Sequence, residues 1–228
     1  MGIEVKICGL STPDTLEAAL EAGADLVGFV HFPKSPRHVA LAAAPALAAQ
    51  VGTRAGKVAL LVNPDDATVA AVIAAFHPDL LQLHGAETPE RVAQIRAAFG
   101  LPVMKAIPVA RAADLAGVPA YAAVADRLLF DAKPDAGDVL PGGNGRVFDW
   151  TLLAGLDPGV PVMLSGGLDA GNVSQALSVI RVDGVDVSSG VETAPGLKSA
   201  EKIFAFVHAT RAAEAAGAAA PRWKVQAP

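Results

Sequence analysis

Apolar residues along this chain gather in short, nearly unbroken runs separated by longer stretches of helical spacing. The runs are Val5–Cys8, Leu26–Val30, Lys57–Val62, Leu80–His84, Val103–Ile107, Arg127–Asp131, Val162–Ser165 and Gly184–Ser188. Strands covered on both faces, as in parallel sheets, read this way; half-exposed strands alternate apolar with polar. The intervening stretches carry helix starts. Pro13 and Asp14 follow Ser11-Thr12, Asn63-Pro64-Asp65-Asp66 repeats the style, Thr88 precedes Pro89-Glu90, and Asp169 and Ser199 open the last two. Gly23, Gly56 and Gly100 mark returns toward a strand.

Strand–helix alternation admits an open doubly wound sheet or a closed barrel. No GxGxxG fingerprint follows the first run, and glycine-rich polar turns follow the seventh and eighth. That placement matches the phosphate site of many barrels. The expected fold is a single α/β domain, a (β/α)8 TIM barrel of eight parallel strands with outer helices. It spans residues 1–210, and residues 211–228 read as a helix end and a loose Ala/Pro-containing tail.

Composition narrows the function. Hydrophobic residues make up 52% and charged residues 18%, enough apolar material for a large core. Net charge is -5 with no lysine–arginine run, which argues against a nucleic-acid partner. No apolar run approaches the ~20 residues of a membrane span, and the start lacks the features of a secretory signal. Cys8 is the single cysteine, so a reducing cytoplasmic setting is expected.

Barrel strands end at one common mouth. This order brings there Cys8, Arg37, His84, Asp131, the Ser165-Gly166-Gly167 turn and the Ser188-Ser189-Gly190 turn. Gly166 and Gly167, ahead of a helix start at Asp169, offer backbone N–H donors to a phosphate without a Cβ in the way, and Ser188, Ser189 and Gly190 add more. A lone cysteine is ordinarily a small buried hydrophobe, but at a strand end before glycine its thiolate can serve as base or nucleophile. Asp131 closes an apolar run, where a carboxyl is costly unless bonded or protonated, a setting that suits a general acid. A cap for the following turn, or pairing with Lys133, is the plainer alternative. Arg37 can hold a carboxylate through two parallel bonds. His84 is expected to pack or hydrogen-bond rather than bind metal, since no second histidine stands at ligand spacing. Asp186 needs a partner if it faces inward.

The residues then resemble the phosphoribosylanthranilate isomerase family of tryptophan biosynthesis. The resemblance rests on Lys6-Ile7-Cys8-Gly9, Gly28-Phe29-Val30 with Ser35-Pro36-Arg37, Leu61-Val62-Asn63, Gln82-Leu83-His84-Gly85 and Leu129-Phe130-Asp131. It continues through Gly142-Gly143-Asn144-Gly145, Phe148-Asp149-Trp150, Ser165–Leu168, Gly184–Glu192 and Pro195–Lys198, in order over residues 3–207. Asn144 stands where the family usually has threonine.

The resemblance implies an Amadori rearrangement of N-(5-phosphoribosyl)anthranilate, with Asp131 as general acid and Cys8 as general base. Arg37 would hold the anthranilate carboxylate and the two glycine turns the phosphate. It implies no metal and no cofactor, and leaves a homodimer open. Rival readings are another phosphosugar barrel (indole-glycerol-phosphate synthase or the histidine-pathway sugar isomerase) or a phosphate-binding barrel without catalysis. The cysteine ending the first strand disfavours the two enzymes.

Overall fold

The computed structural model describes residues 2–135, 137, 140–143 and 145–217. Eight parallel strands close on themselves: β1 (Glu4–Cys8), β2 (Leu26–Val30), β3 (Gly56–Leu61), β4 (Leu80–Leu83), β5 (Val103–Val109), β6 (Arg127–Ala132), β7 (Val162–Leu164) and β8 (Gly184–Val187). Closure comes from pairing the first strand with the last, Lys6 with Asp186 and Ile7 with Val187. The expected barrel is the observed fold.

Side chains alternate across each strand. Val5, Ile7, Val27, Phe29, Leu81, Leu83, Phe130 and Val185 face outward into one large core beneath the helices. The odd-even partners point inward, where Val58, Leu80, Met104, Ala106, Leu129 and Met163 fill the interior. Above them lies a polar layer of Lys6, Gln82 and Asp186, all buried.

The helices are α1 (Pro13–Glu21), α2 (Ala44–Val51), α3 (Asp66–Phe76), α4 (Pro89–Phe99), α5 (Val118–Ala122), α6 (Val173–Val179) and α7 (Ala200–Ala215). Thr12, Asp65, Thr88 and Ser199 cap α1, α3, α4 and α7 through side-chain oxygens that accept from backbone N–H groups. The expected helix start at Asp169 is corrected: Asp169 heads a turn, accepting from the N–H groups of Gly171 and Asn172, and α6 starts at Val173. Gly56 opens β3 as the first residue of the strand, packed where a Cβ would lie 2.7 Å from Leu26. Between β6 and β7 the described residues hold a short 3-10 turn, Trp150–Leu153, in place of an α-helix. A small antiparallel hairpin, β9 (Glu192–Ala194) with β10 (Leu197–Lys198), follows β8. The last helix runs past residue 210 to Ala215. The expected tail from residue 218, and Asn144, lie outside the described residues.

Candidate active site

The mouth of the barrel holds a cleft of about 760 Å³, counting space open to solvent, ample for a small ligand. Cys8, Arg37, His84, Asp131, Gly166, Gly167, Asp186, Ser188 and Ser189 line it together. Gly190 does not. It packs beneath the cleft, where a Cβ would collide with the Leu168 carbonyl oxygen. Its bareness lets the loops after β7 and β8 lie backbone against backbone.

Asp131 is not the last residue of its strand; Ala132 continues the pairing with β5. Its Oδ1 accepts from the Ala132 N–H at 2.9 Å and its Oδ2 lies 3.1 Å from His84 Nε2. Gln82 Nε2 lies 2.9 Å from His84 Nδ1. An amide nitrogen only donates, so Nδ1 accepts, Nε2 carries the hydrogen, and His84 donates to Asp131. Lys133 pairs with Asp114 at 2.6 Å rather than with Asp131.

The segment carrying His84 is clamped from behind. Lys105, on β5, donates from Nζ to the carbonyls of Leu83 and Gly85 at 3.3 and 2.7 Å and to Glu87 Oε2 at 2.7 Å. Glu87 in turn accepts from the N–H groups of Asn63 and Gly85. Burial lowers the Lys105 ammonium from its usual range despite Glu87.

Arg37 reaches the cleft from the loop after β2, threading between two glycines. A Cβ on Gly9 would sit 2.7 Å from its Cδ, and one on Gly143 2.6 Å from its Nη1; both glycines have positive φ, +79° and +73°. One edge of the guanidinium is already engaged. Nε and Nη2 donate to the two carboxylate oxygens of Glu192, which also accepts from Lys198 Nζ at 2.8 Å. Burial pushes Glu192 up, but Arg37 and Lys198 outweigh it and hold the carboxyl below its usual range. Any carboxylate that Arg37 binds must therefore use what Glu192 leaves free. Lys198 also donates to the carbonyl and hydroxyl oxygens of Ser188, at 2.8 and 3.2 Å.

The turn after β7 takes its shape from Gly166 (φ +88°) and Gly167 (φ +65°). Asn172 Nδ2 donates to the Gly167 carbonyl at 2.9 Å, so the turn is tied to the residue just before α6. Cys8 is buried at the end of β1. Burial pushes its thiol up, with the Lys6 ammonium opposing. Lys6 itself pairs with Asp186 at 2.8 Å, the partner an inward Asp186 needs.

Lys6, Gln82, Glu192 and Lys198 were not singled out from the sequence as site residues. Lys6 and Gln82 each interrupt an apolar strand at an inward position, which was the available signal.

The model of the N-(5'phosphoribosyl)anthranilate (PRA) isomerase family matches residues 5–209. A curated N-(5'-phosphoribosyl)anthranilate isomerase of Azorhizobium caulinodans is 78% identical over 228 residues, the whole of both chains. One of Rhodopseudomonas palustris is 63% identical over 214 residues, 94% of this chain and 98% of that one. Among solved structures, the phosphoribosyl anthranilate isomerase of Thermotoga maritima superposes with a TM-score of 0.83 at 32% identity, covering 92% of this chain and 99% of its own. A further isomerase structure, in complex with reduced 1-(o-carboxyphenylamino)-1-deoxyribulose 5-phosphate, gives 0.79 at 31% identity with the same coverage. A full-length match at this identity, on a closed barrel whose mouth gathers the thiol, the carboxyl and the guanidinium, leaves one assignment: the chain belongs to the N-(5'-phosphoribosyl)anthranilate isomerase family.

Proposed function

We propose that this chain isomerises N-(5-phosphoribosyl)anthranilate to 1-(2-carboxyphenylamino)-1-deoxyribulose 5-phosphate with Asp131 as general acid and Cys8 as general base. The observation that carries the assignment is the convergence of Cys8, Asp131 and Arg37 with the Gly166-Gly167 and Ser188-Ser189 turns in one cleft.

Asp131 protonates the ribose ring oxygen as the C1–O bond breaks, and the anthranilate nitrogen lone pair forms an iminium ion. The carboxylate left behind is stabilised by the His84 Nε2–H and the Ala132 N–H. The iminium makes the C2 hydrogen acidic, and the Cys8 thiolate removes it. The C–H electron pair forms the C1=C2 double bond and the iminium π pair returns to the nitrogen, giving an enolamine that tautomerises to the ketone. The substrate's own nitrogen is the electron sink. Burial disfavours the free thiolate, and the cation forming beside Cys8 favours it at the step where it is needed. Arg37 faces the anthranilate carboxylate, and the turns at Gly166-Gly167 and Ser188-Ser189 face the phosphate.

Among the described residues no helix is long and apolar enough to cross a membrane, and a cytoplasmic reaction fits the single cysteine. A Thermotoga maritima relative is described as dimeric; sedimentation of this chain tests whether it too forms a homodimer.

The test is isomerisation of freshly made phosphoribosylanthranilate by the wild type, Cys8→Ala and Asp131→Asn. Both variants are expected to fold and to lose at least about a hundredfold in kcat, the low end of general acid–base contributions. Wild-type turnover in both folded variants overturns the assignment of acid and base, and an inactive wild type favours a phosphate-binding barrel.

A further inference from the structure

Lys6 is sealed inside the barrel, fully shielded from solvent, and the proton transfers described above do not use it. A buried ammonium carries a desolvation penalty that needs strong local partners to offset it. One partner is evident: Nζ donates to Asp186 Oδ1 at 2.8 Å, while Ser165 Oγ donates to Asp186 Oδ2 at 3.1 Å. The other face of the ammonium turns toward Cys8. The two residues are two apart on β1, so both point into the barrel. Gly28 is the register partner of Cys8 on β2. The point that a Gly28 Cβ would occupy lies 3.0 Å from Lys6 Nζ and 3.0 Å from Cys8 Sγ. The ammonium and the sulfur therefore flank one small space that exists because residue 28 has no side chain.

We propose that Lys6 is the positioning residue for Cys8: its ammonium, anchored by Asp186, holds the thiolate form beside Gly28 and sets how much of it is available to accept a proton. This rests on the reading of Cys8 as the base. Other charged groups act on the same sulfur, namely Lys198 from β10 and Arg37 from the loop after β2, and the His84–Asp131 pair lines the same cleft. Lys198 and Arg37 are both tied to Glu192, and Asp131 to His84. Lys6 is the strongest influence opposing the burial of the thiol, and Asp186 pulls the other way more weakly.

Because Cys8 is the only cysteine, alkylation by iodoacetamide followed across pH reads this thiol alone. The full-length proteins to compare are wild type, Lys6→Met, and Lys6→Met with Asp186→Leu, the last removing the carboxylate that the single variant leaves buried without its cation. Both variants should move the midpoint of the alkylation curve upward and slow alkylation at neutral pH about tenfold. A midpoint that stays or falls in either folded variant overturns the proposal. On the unmutated chain, the Lys6 Nζ resonance should shift as Cys8 titrates and stay fixed over that range in Cys8→Ala; no shift in the wild type overturns it as well. Retained turnover in Cys8→Ala would sink the base assignment, whereas an unmoved alkylation curve would sink the Lys6 pairing alone.

Discussion

Arg37 and Glu192 meet edge to edge, Nε to Oε1 at 2.7 Å and Nη2 to Oε2 at 2.8 Å, with both side chains buried. A bidentate fork fixes the plane of the guanidinium as well as its position. The carboxylate on Glu192 thus decides which face of Arg37 a ligand meets.

Glu192→Gln removes the charge that both Arg37 and Lys198 are paired with. Steady-state kinetics should show KM for phosphoribosylanthranilate rising more than kcat falls, because the lost feature orients a binding group. Urea unfolding should show a loss of about 3 kcal/mol, the scale for breaking a buried pair and leaving its cations uncompensated. A KM unchanged within error would mean that Arg37 does not bind the substrate through this geometry.

The buried thiol gives the protein an alkaline weakness. Burial raises Cys8 in the folded state, whereas an unfolded chain ionises near ~8.5. The stability that comes from keeping the thiol neutral is complete below that pH and declines as pH rises toward the folded value. As pH rises above about 8.5, denaturant midpoints of the wild type should fall relative to those of Cys8→Ser. Initial rates should climb through the same range as the thiolate forms. Parallel stability curves for the two proteins would contradict the raised thiol.

Gln82 separates activity from stability. Its Nε2 fixes the His84 tautomer, but its buried Oε1 has no hydrogen-bond partner among the described residues. Gln82→Met removes that unpaired acceptor but leaves His84 Nδ1 without its donor, so the unfolding midpoint should change little. kcat should nevertheless fall about tenfold as His84 loses its fixed hydrogen-bond direction toward Asp131. A fall in stability with unchanged kcat would reverse this account.

Gly190→Ala tests the contact between the loops after β7 and β8, proposed to hold the phosphate. The new methyl group cannot share space with the Leu168 carbonyl, so the loops must part. Inorganic phosphate, titrated as a competitive inhibitor, should bind about tenfold more weakly, a loss of about 1.4 kcal/mol. Equal inhibition would mean that the phosphate is held elsewhere.

The strands and their order were legible because strands of a covered parallel barrel are apolar on both faces, and the glycine turns because left-handed backbone has few other occupants. Most of the mouth residues followed from strand ends, but Arg37 comes from the loop after β2 and Gly190 packs away from the cleft. Polar pairings were not legible in the same way. Lys6 and Asp186 are separated by 180 positions, Arg37 and Glu192 by 155, and no local periodicity says which buried charge answers which. The start of α6 was missed because Asp169 has the chemistry of a cap and uses it on a turn. The helix expected after β6 gives way to a glycine- and proline-rich loop, in which Gly143 and Gly145 take positive φ.

The closing of β8 onto β1 also has a temporal meaning. Cys8 lies on the first strand of the barrel, whereas Asp186 lies on the eighth, and Glu192 and Lys198 lie on the hairpin that follows it. During synthesis from the N-terminus, the growing chain carries Cys8 and Lys6 before the Asp186 carboxylate that pairs with Lys6. The charge pair beneath Cys8 is therefore complete only when β8 closes onto β1.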